Sequence, residues 1–99
     1  MAQDEAIKIA KEYADLVRSF MKTKSIILYG SQAKGTATKD SDIDIAVIVE
    51  KLDADYLTTI SKLWGLTRDV NDEIEPVLLL DGEDESGFLQ TIHATGIAV

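Results

Sequence analysis

Cysteine is absent from the 99 residues, so no disulfide can brace the fold and no thiolate can hold a metal. Histidine occurs once, which excludes a zinc site built from His and Cys and leaves oxygen as the only ligand type for a metal. Positive charge is also scarce: 10 Lys and Arg stand against 18 Asp and Glu, a formal net charge of -8. Such a chain repels a polyphosphate backbone, which argues against stable nonspecific binding of nucleic acid. Long apolar runs are missing, and Met1-Ala2-Gln3-Asp4-Glu5 lacks the basic stretch followed by an apolar one that opens a signal peptide. The expectation is a cytoplasmic protein with no membrane attachment.

Apolar residues make up 45% and charged residues 28%, the balance of a folded globular chain rather than a disordered one. A chain of 99 residues buries roughly 60–65% of its unfolded surface and has room for one core, so residues 1–99 are expected to form a single domain. No repeat, low-complexity tract or linker interrupts it.

From Asp4 to about Lys22 the apolar residues Ala6, Ile9/Ala10, Tyr13, Leu16/Val17 and Phe20 recur at helical spacing. Ser25 to Tyr29 reads as a short buried strand halted by Gly30-Ser31, and Gln32 to Asp40 as a loop or one helical turn. Ile43 to Val49 is the clearest strand, with Ile43, Ile45, Val47 and Val49 on one face and Asp42, Asp44, Ala46 and Ile48 on the other. Asp53 is positioned to cap a helix running to about Asp69, whose inward stripe is expected to be Tyr56/Leu57, Ile60, Leu63/Trp64 and Thr67. Asn71-Asp72-Glu73 then reads as a turn, and Ile74 to Leu80 as a third strand. The single proline, Pro76, favours an edge strand or a break in pairing because it has no N–H to donate. Asp81 to Glu85 is an acidic loop. A last helix from Ser86 is expected to turn Phe88, Leu89 and Ile92 inward and to end at Gly96 in a positive-φ conformation. This order predicts an α/β (α+β) fold, a small mixed sheet with helices covering one side.

The chemistry concentrates in Gly30-Ser31, ten residues, then Asp42-Ile43-Asp44. Glycine and serine after a buried strand present backbone N–H groups and a hydroxyl to one spot, which suits phosphate oxygens; alone they are also an ordinary turn. Asp42 and Asp44, two residues apart on a strand face, have Cα atoms roughly 6.6–7 Å apart and can lean toward one metal cluster. Their mutual repulsion asks for a compensating cation, and hard oxygen ligands beside phosphate are how magnesium is held. Two such ions would clamp the attacking and leaving oxygens of an in-line phosphoryl displacement. The phosphate loop of ATPases fails, because Thr36-Ala37 follows Gly35 where Lys-Ser/Thr is needed; a calcium loop from Asp40 fails at Ile45 and Lys51.

Gly30-Ser31-x10-Asp42-x-Asp44, with Tyr29 to Ala37 and Ser41 to Val47 around it, resembles the signature of the polymerase-β-like nucleotidyltransferase superfamily and its minimal nucleotidyltransferase (MNT) branch. The resemblance covers nearly the whole chain, including Ile74 to Val77 and the closing Phe88-Leu89 and Thr95-Gly96-Ile97. It implies that Asp42 and Asp44 bind two Mg²⁺ ions and that Gly30 and Ser31 hold the triphosphate of ATP. It also implies a third carboxylate on the neighbouring strand, which completes the metal site and takes the proton of the acceptor hydroxyl. Glu75 is the candidate, where relatives often carry Asp, with Asp72 and Glu73 as competitors. Gln32 stands where relatives often carry an arginine fork for phosphate, and Lys34 is the nearby cation that could take over part of that task, or be a solvated loop residue. His93 is expected at the surface, and Trp64 and Tyr56 in the core.

Such proteins transfer AMP from ATP to a hydroxyl and release pyrophosphate, and MNT proteins typically pair with a HEPN-domain ribonuclease as the antitoxin that adenylylates a toxin tyrosine. The resemblance therefore implies a separate HEPN-type partner, with homo-oligomerisation left open. Two alternatives stand beside it: a non-catalytic module that masks its partner with a degenerate nucleotide site, and a small-molecule transferase of the aminoglycoside-modifying type. Length disfavours the latter, since 99 residues are expected to hold no further domain that could enclose a substrate.

Overall fold

The computed structural model describes residues 2–38, 40–83 and 86–99. Helix α1 (Gln3–Phe20) leads into strand β1 (Ser25–Tyr29), the single turn α2 (Ser31–Lys34) and strand β2 (Ile43–Val49). Helix α3 (Tyr56–Thr67), strand β3 (Ile74–Leu80), helix α4 (Phe88–Thr95) and a two-residue strand β4 (Ile97–Ala98) complete the chain. The sheet order is β3-β2-β1-β4, with β1 antiparallel to β2 and β4, and β2 parallel to β3. The sheet is therefore mixed, and Pro76 sits on an edge strand where its missing N–H costs no ladder bond.

Alternation divides the strands between two cores. Ile26 and Leu28, the odd-numbered positions of β2, and Ile74 and Leu78 pack with Tyr13, Val17 and Leu63 from α1 and α3. Ile27, Ala46 and Ile48 face the other way and pack with Leu89 and Ile92 of α4. The expectation of helices on one side is thus corrected: α4 covers part of the second face. Tyr13 pins α1 to α3, its buried hydroxyl donating to the Leu63 carbonyl at 2.6 Å.

Three local expectations are also corrected. Asp55, not Asp53, caps α3, its Oδ1 accepting from the Thr58 N–H at 2.6 Å. The inward face of α3 is carried by Leu63, Leu66 and Thr67, which leaves Tyr56, Trp64 (46% exposed) and Leu57 (75% exposed) toward solvent. Gly96 has φ -87°, so it closes α4 without a left-handed residue. Its missing side chain serves close approach, because a Cβ there would lie 2.6 Å from the Ile92 carbonyl oxygen and collide with Ile27. Helix α4 starts at Phe88 rather than Ser86, and Phe88 stays 40% exposed. Of the expected acidic loop, Asp81 pairs with Lys24 at 2.6 Å, while Asp84 and Glu85 lie outside the described residues. Among the described residues no helix is long and apolar enough to cross a membrane.

Candidate active site

The site is built where β1, β2 and β3 come level. Strand pairing sets Tyr29 opposite Asp44 and Asp44 opposite Glu75, so the three form one row across the sheet, on the face shared with Ala46 and Ile48. Asp42 precedes β2 by one residue and lies close enough for side-chain hydrogen bonding with Glu75. Thirty-one positions of sequence separate Asp44 from Glu75, and parallel pairing alone makes them neighbours. Of the competitors, Asp72 lies in the turn before β3, and the Glu73 N–H donates to the Asn71 side chain at 2.8 Å in that same turn. The register therefore favours Glu75.

Gly30 is joined to this row from the other side. Its φ of 73° and ψ of -153° belong to a region open essentially to glycine alone. A Cβ there would fall 2.6 Å from Asp44 Oδ2, so the carboxylate occupies the space a side chain would need. Ser31 opens α2 immediately afterwards, and the first N–H groups of such a turn have no intrahelical acceptor. Gly35, left-handed at φ 74°, ends the turn, and Gln3 of α1 braces it by donating to the Ala33 carbonyl at 2.9 Å. Lys34 projects from α2 as an exposed residue.

Gln32, at the position where relatives often carry arginine, is turned into the protein. Its side chain is 1% exposed, with Nε2 directed at the Ser41 carbonyl at 3.5 Å and Oε1 buried without a partner. It ties α2 to the segment that leads into β2, so an arginine fork is not simply missing from the open side of the turn. His93 is exposed on α4, as expected. Tyr29 was not singled out by sequence reasoning. The signal was its alternation with Ile27, but only the antiparallel register reveals what it stands opposite.

Electrostatics mark the row as strained by like charge. Asp44 titrates above the ordinary carboxylate range, first because it is partly buried and then because Asp42 lies beside it. Glu75 is raised as well, by desolvation, by the Asp42 and Asp44 charges and by hydrogen bonding with Asp42, although its side chain reaches solvent. Tyr29 is pushed up to about 12, by burial and then by the Asp44 and Glu75 charges, and so keeps its proton at neutral pH. Among the described residues no three acidic or histidine side chains are gathered into a ready-made metal cage. Magnesium does not require one, because it is held by one or two carboxylates together with substrate phosphates and water. A pair of oxygen donors carrying uncompensated repulsion, next to a turn whose first N–H groups have no intrahelical acceptor, fits that mode of binding.

The family described as "Polymerase beta, Nucleotidyltransferase" matches residues 6–99. A Methanocaldococcus jannaschii protein named "putative protein adenylyltransferase" is 44% identical over 52 residues, covering 50% of this chain and 51% of that protein. The chain thus spans about half the length of that curated relative. The crystal structure of a "putative nucleotidyltransferase" from Sulfolobus solfataricus superposes with a TM-score of 0.70 at 21% identity, covering 97% of this chain and 80% of the other, a likeness of fold. With nearly its whole length matched, this chain belongs to the polymerase β nucleotidyltransferase family.

Proposed function

We propose that the chain, acting as one unit, moves AMP from ATP to a tyrosine hydroxyl of a separate HEPN-domain toxin in the cytoplasm, and so serves as an antitoxin. The observation that carries the transfer reading is the approach of Asp44 Oδ2 to Gly30: a phosphate held at that turn would lie directly beside the carboxylate row. The family match supports nucleotidyl transfer, and the name of the M. jannaschii relative supports adenylyl as the group and protein as the acceptor. A net charge of -8 suits docking onto a basic, RNA-cleaving partner, since opposite potentials speed encounter.

In this reading Gly30 and Ser31 orient the triphosphate through backbone N–H groups and the hydroxyl, and Lys34 meets it as a point charge. Asp42 and Asp44, with Glu75 level beside them once phosphate and water complete the shell, would hold the metal, which would neutralise the triphosphate and polarise the α-phosphorus. The acceptor oxygen bonds to that phosphorus, the bond to the β-phosphate oxygen breaks, and pyrophosphate leaves. Glu75 takes the acceptor's proton, a task for which a raised carboxyl pKa is better suited than an ordinary one. Tyr29 keeps its proton and remains a hydrogen-bond donor beside the row.

A thermal melt tests the site. ATP with Mg²⁺ at roughly 100-fold over Kd adds about 2.7 kcal/mol of stability to a chain that binds it only when folded. The melting temperature is expected to rise for the native chain and to stay unchanged for Asp44→Asn. No rise in the native chain would contradict the transfer reading and leave a module that only masks its partner.

A further inference from the structure

Beyond the far end of β2 from the carboxylates, a cleft of about 290 Å³ opens between the end of α1, the loop after β2 and α3. Its lining is largely apolar: Met21 and Leu52 pack on the main core, Leu66 is buried, and Phe20 is 53% exposed at the rim. Lys22, Lys51 and Lys62 line it too, with Asp53 as the one acidic residue. Three of the chain's 10 basic residues therefore meet one of its 18 acidic ones, a local reversal of the molecule's sign.

Those lysines are not spent on ion pairs. Arg18 and Lys24 have carboxylates at 3.5 Å and 2.6 Å, whereas among the described residues none of the three cleft lysines has one within reach. Lys62 instead stands with Nζ 4.2 Å from the centre of the Phe20 ring, which draws its stem along the cleft while its N–H groups stay available. An apolar floor with a few convergent polar groups is the composition of a small-molecule site, and this volume lies at the small end of such sites. Ammonium groups above that floor select an anion with an apolar body. The five residue steps from Asp44 to Val49 put roughly 16 Å of strand between the carboxylate row and the near side of this cleft.

We propose that the cleft is a binding site, distinct from the carboxylate row, for a small aromatic molecule bearing one carboxylate or sulfonate. A molecule bound there bridges the end of α1, the Lys51–Ala54 loop and α3, and clamps the three together.

The test titrates the full chain with 8-anilinonaphthalene-1-sulfonate and, in parallel, with the uncharged N-phenyl-1-naphthylamine, while amide NMR shifts locate each probe. The anionic probe is expected to bind roughly tenfold more tightly, as two or three exposed charge contacts allow. Its shifts should centre on Lys51, Leu52, Ala54 and Thr58. Lys51→Glu/Lys62→Glu should remove that preference, and Ala54→Leu, which adds bulk to the lining, should weaken both probes, each with near-UV dichroism of Trp64 unchanged. Equal affinity for the two probes on the unaltered chain would overturn the proposal, whether or not the variants fold. So would shifts centred on Gly30, Asp44 and Glu75.

Discussion

Between Gly30 and Asp44 there is room for a hydrogen and nothing larger, and the candidate chemistry depends on that closeness. Gly30→Ala forces a side chain into both a forbidden backbone region and the Asp44 carboxylate. The backbone strain alone costs about 1–3 kcal/mol. The variant should melt lower than the native chain and lose the rise that Mg²⁺ with ATP produces; a full rise at native stability would contradict the account. Asp44 acts in the opposite direction on stability. Its folded pKa is raised, so ionising it penalises the folded state, and the penalty grows as pH climbs from about 4 through the raised value. Asp44→Asn should therefore melt higher than the native chain at pH 7 without ligand, and the gap should shrink as the pH falls toward 4. A variant that melts lower at pH 7, or a gain independent of pH, would show that the row is not strained by charge. The acids themselves were legible in the sequence, because two same-face carboxylates heading so apolar a strand demand compensation. Tyr29 was not, since a residue's opposite number belongs to the pairing and not to its own neighbourhood.

Elements were legible where periodicity runs long enough to fix a face. Ile43 to Val49 alternates through seven residues and forms β2 as expected, whereas the two residues of β4 are too few to show any period. Helix α3 was placed within a few residues, yet its cap and face were not: Asp53 and Asp55 are equivalent by type, and only Asp55 brings an oxygen to the Thr58 N–H. The exposure of Trp64 and Leu57 follows from that same orientation, with Leu63 and Leu66 taking the core. Glycine likewise has two meanings that composition cannot separate. Gly65, inside α3, has open space where a Cβ would go, so Gly65→Ala should stabilise by about 0.5–1 kcal/mol. Gly96 faces the Ile92 carbonyl and Ile27, so Gly96→Ala should destabilise and loosen β4 from β1. Gly96→Ala melting higher would show that α4 and its exit are not packed as described, and Gly65→Ala melting lower would show that α3 is not open at that position.

At the scale of the whole molecule, the sheet is a device for bringing distant residues level. Antiparallel β1–β2 carries the Gly30-Ser31 turn to the carboxylates, and parallel β2–β3 carries Glu75 beside Asp44. The mixed sheet and the family followed from sequence, while the second helical layer escaped because α4 is short and its contacts lie across the sheet. The surplus of negative charge repels a polyphosphate backbone and attracts cationic surfaces. The central claim is nucleotidyl transfer to another macromolecule. Its most direct test is incubation with Mg²⁺ and ATP labelled at the α-phosphate in host-cell lysate containing the HEPN-domain protein, beside Asp42→Asn/Asp44→Asn. The account predicts a labelled protein band with the native chain alone, bearing AMP on a tyrosine. No label with folded native chain and partner both present, or equal label from the double variant, would contradict it.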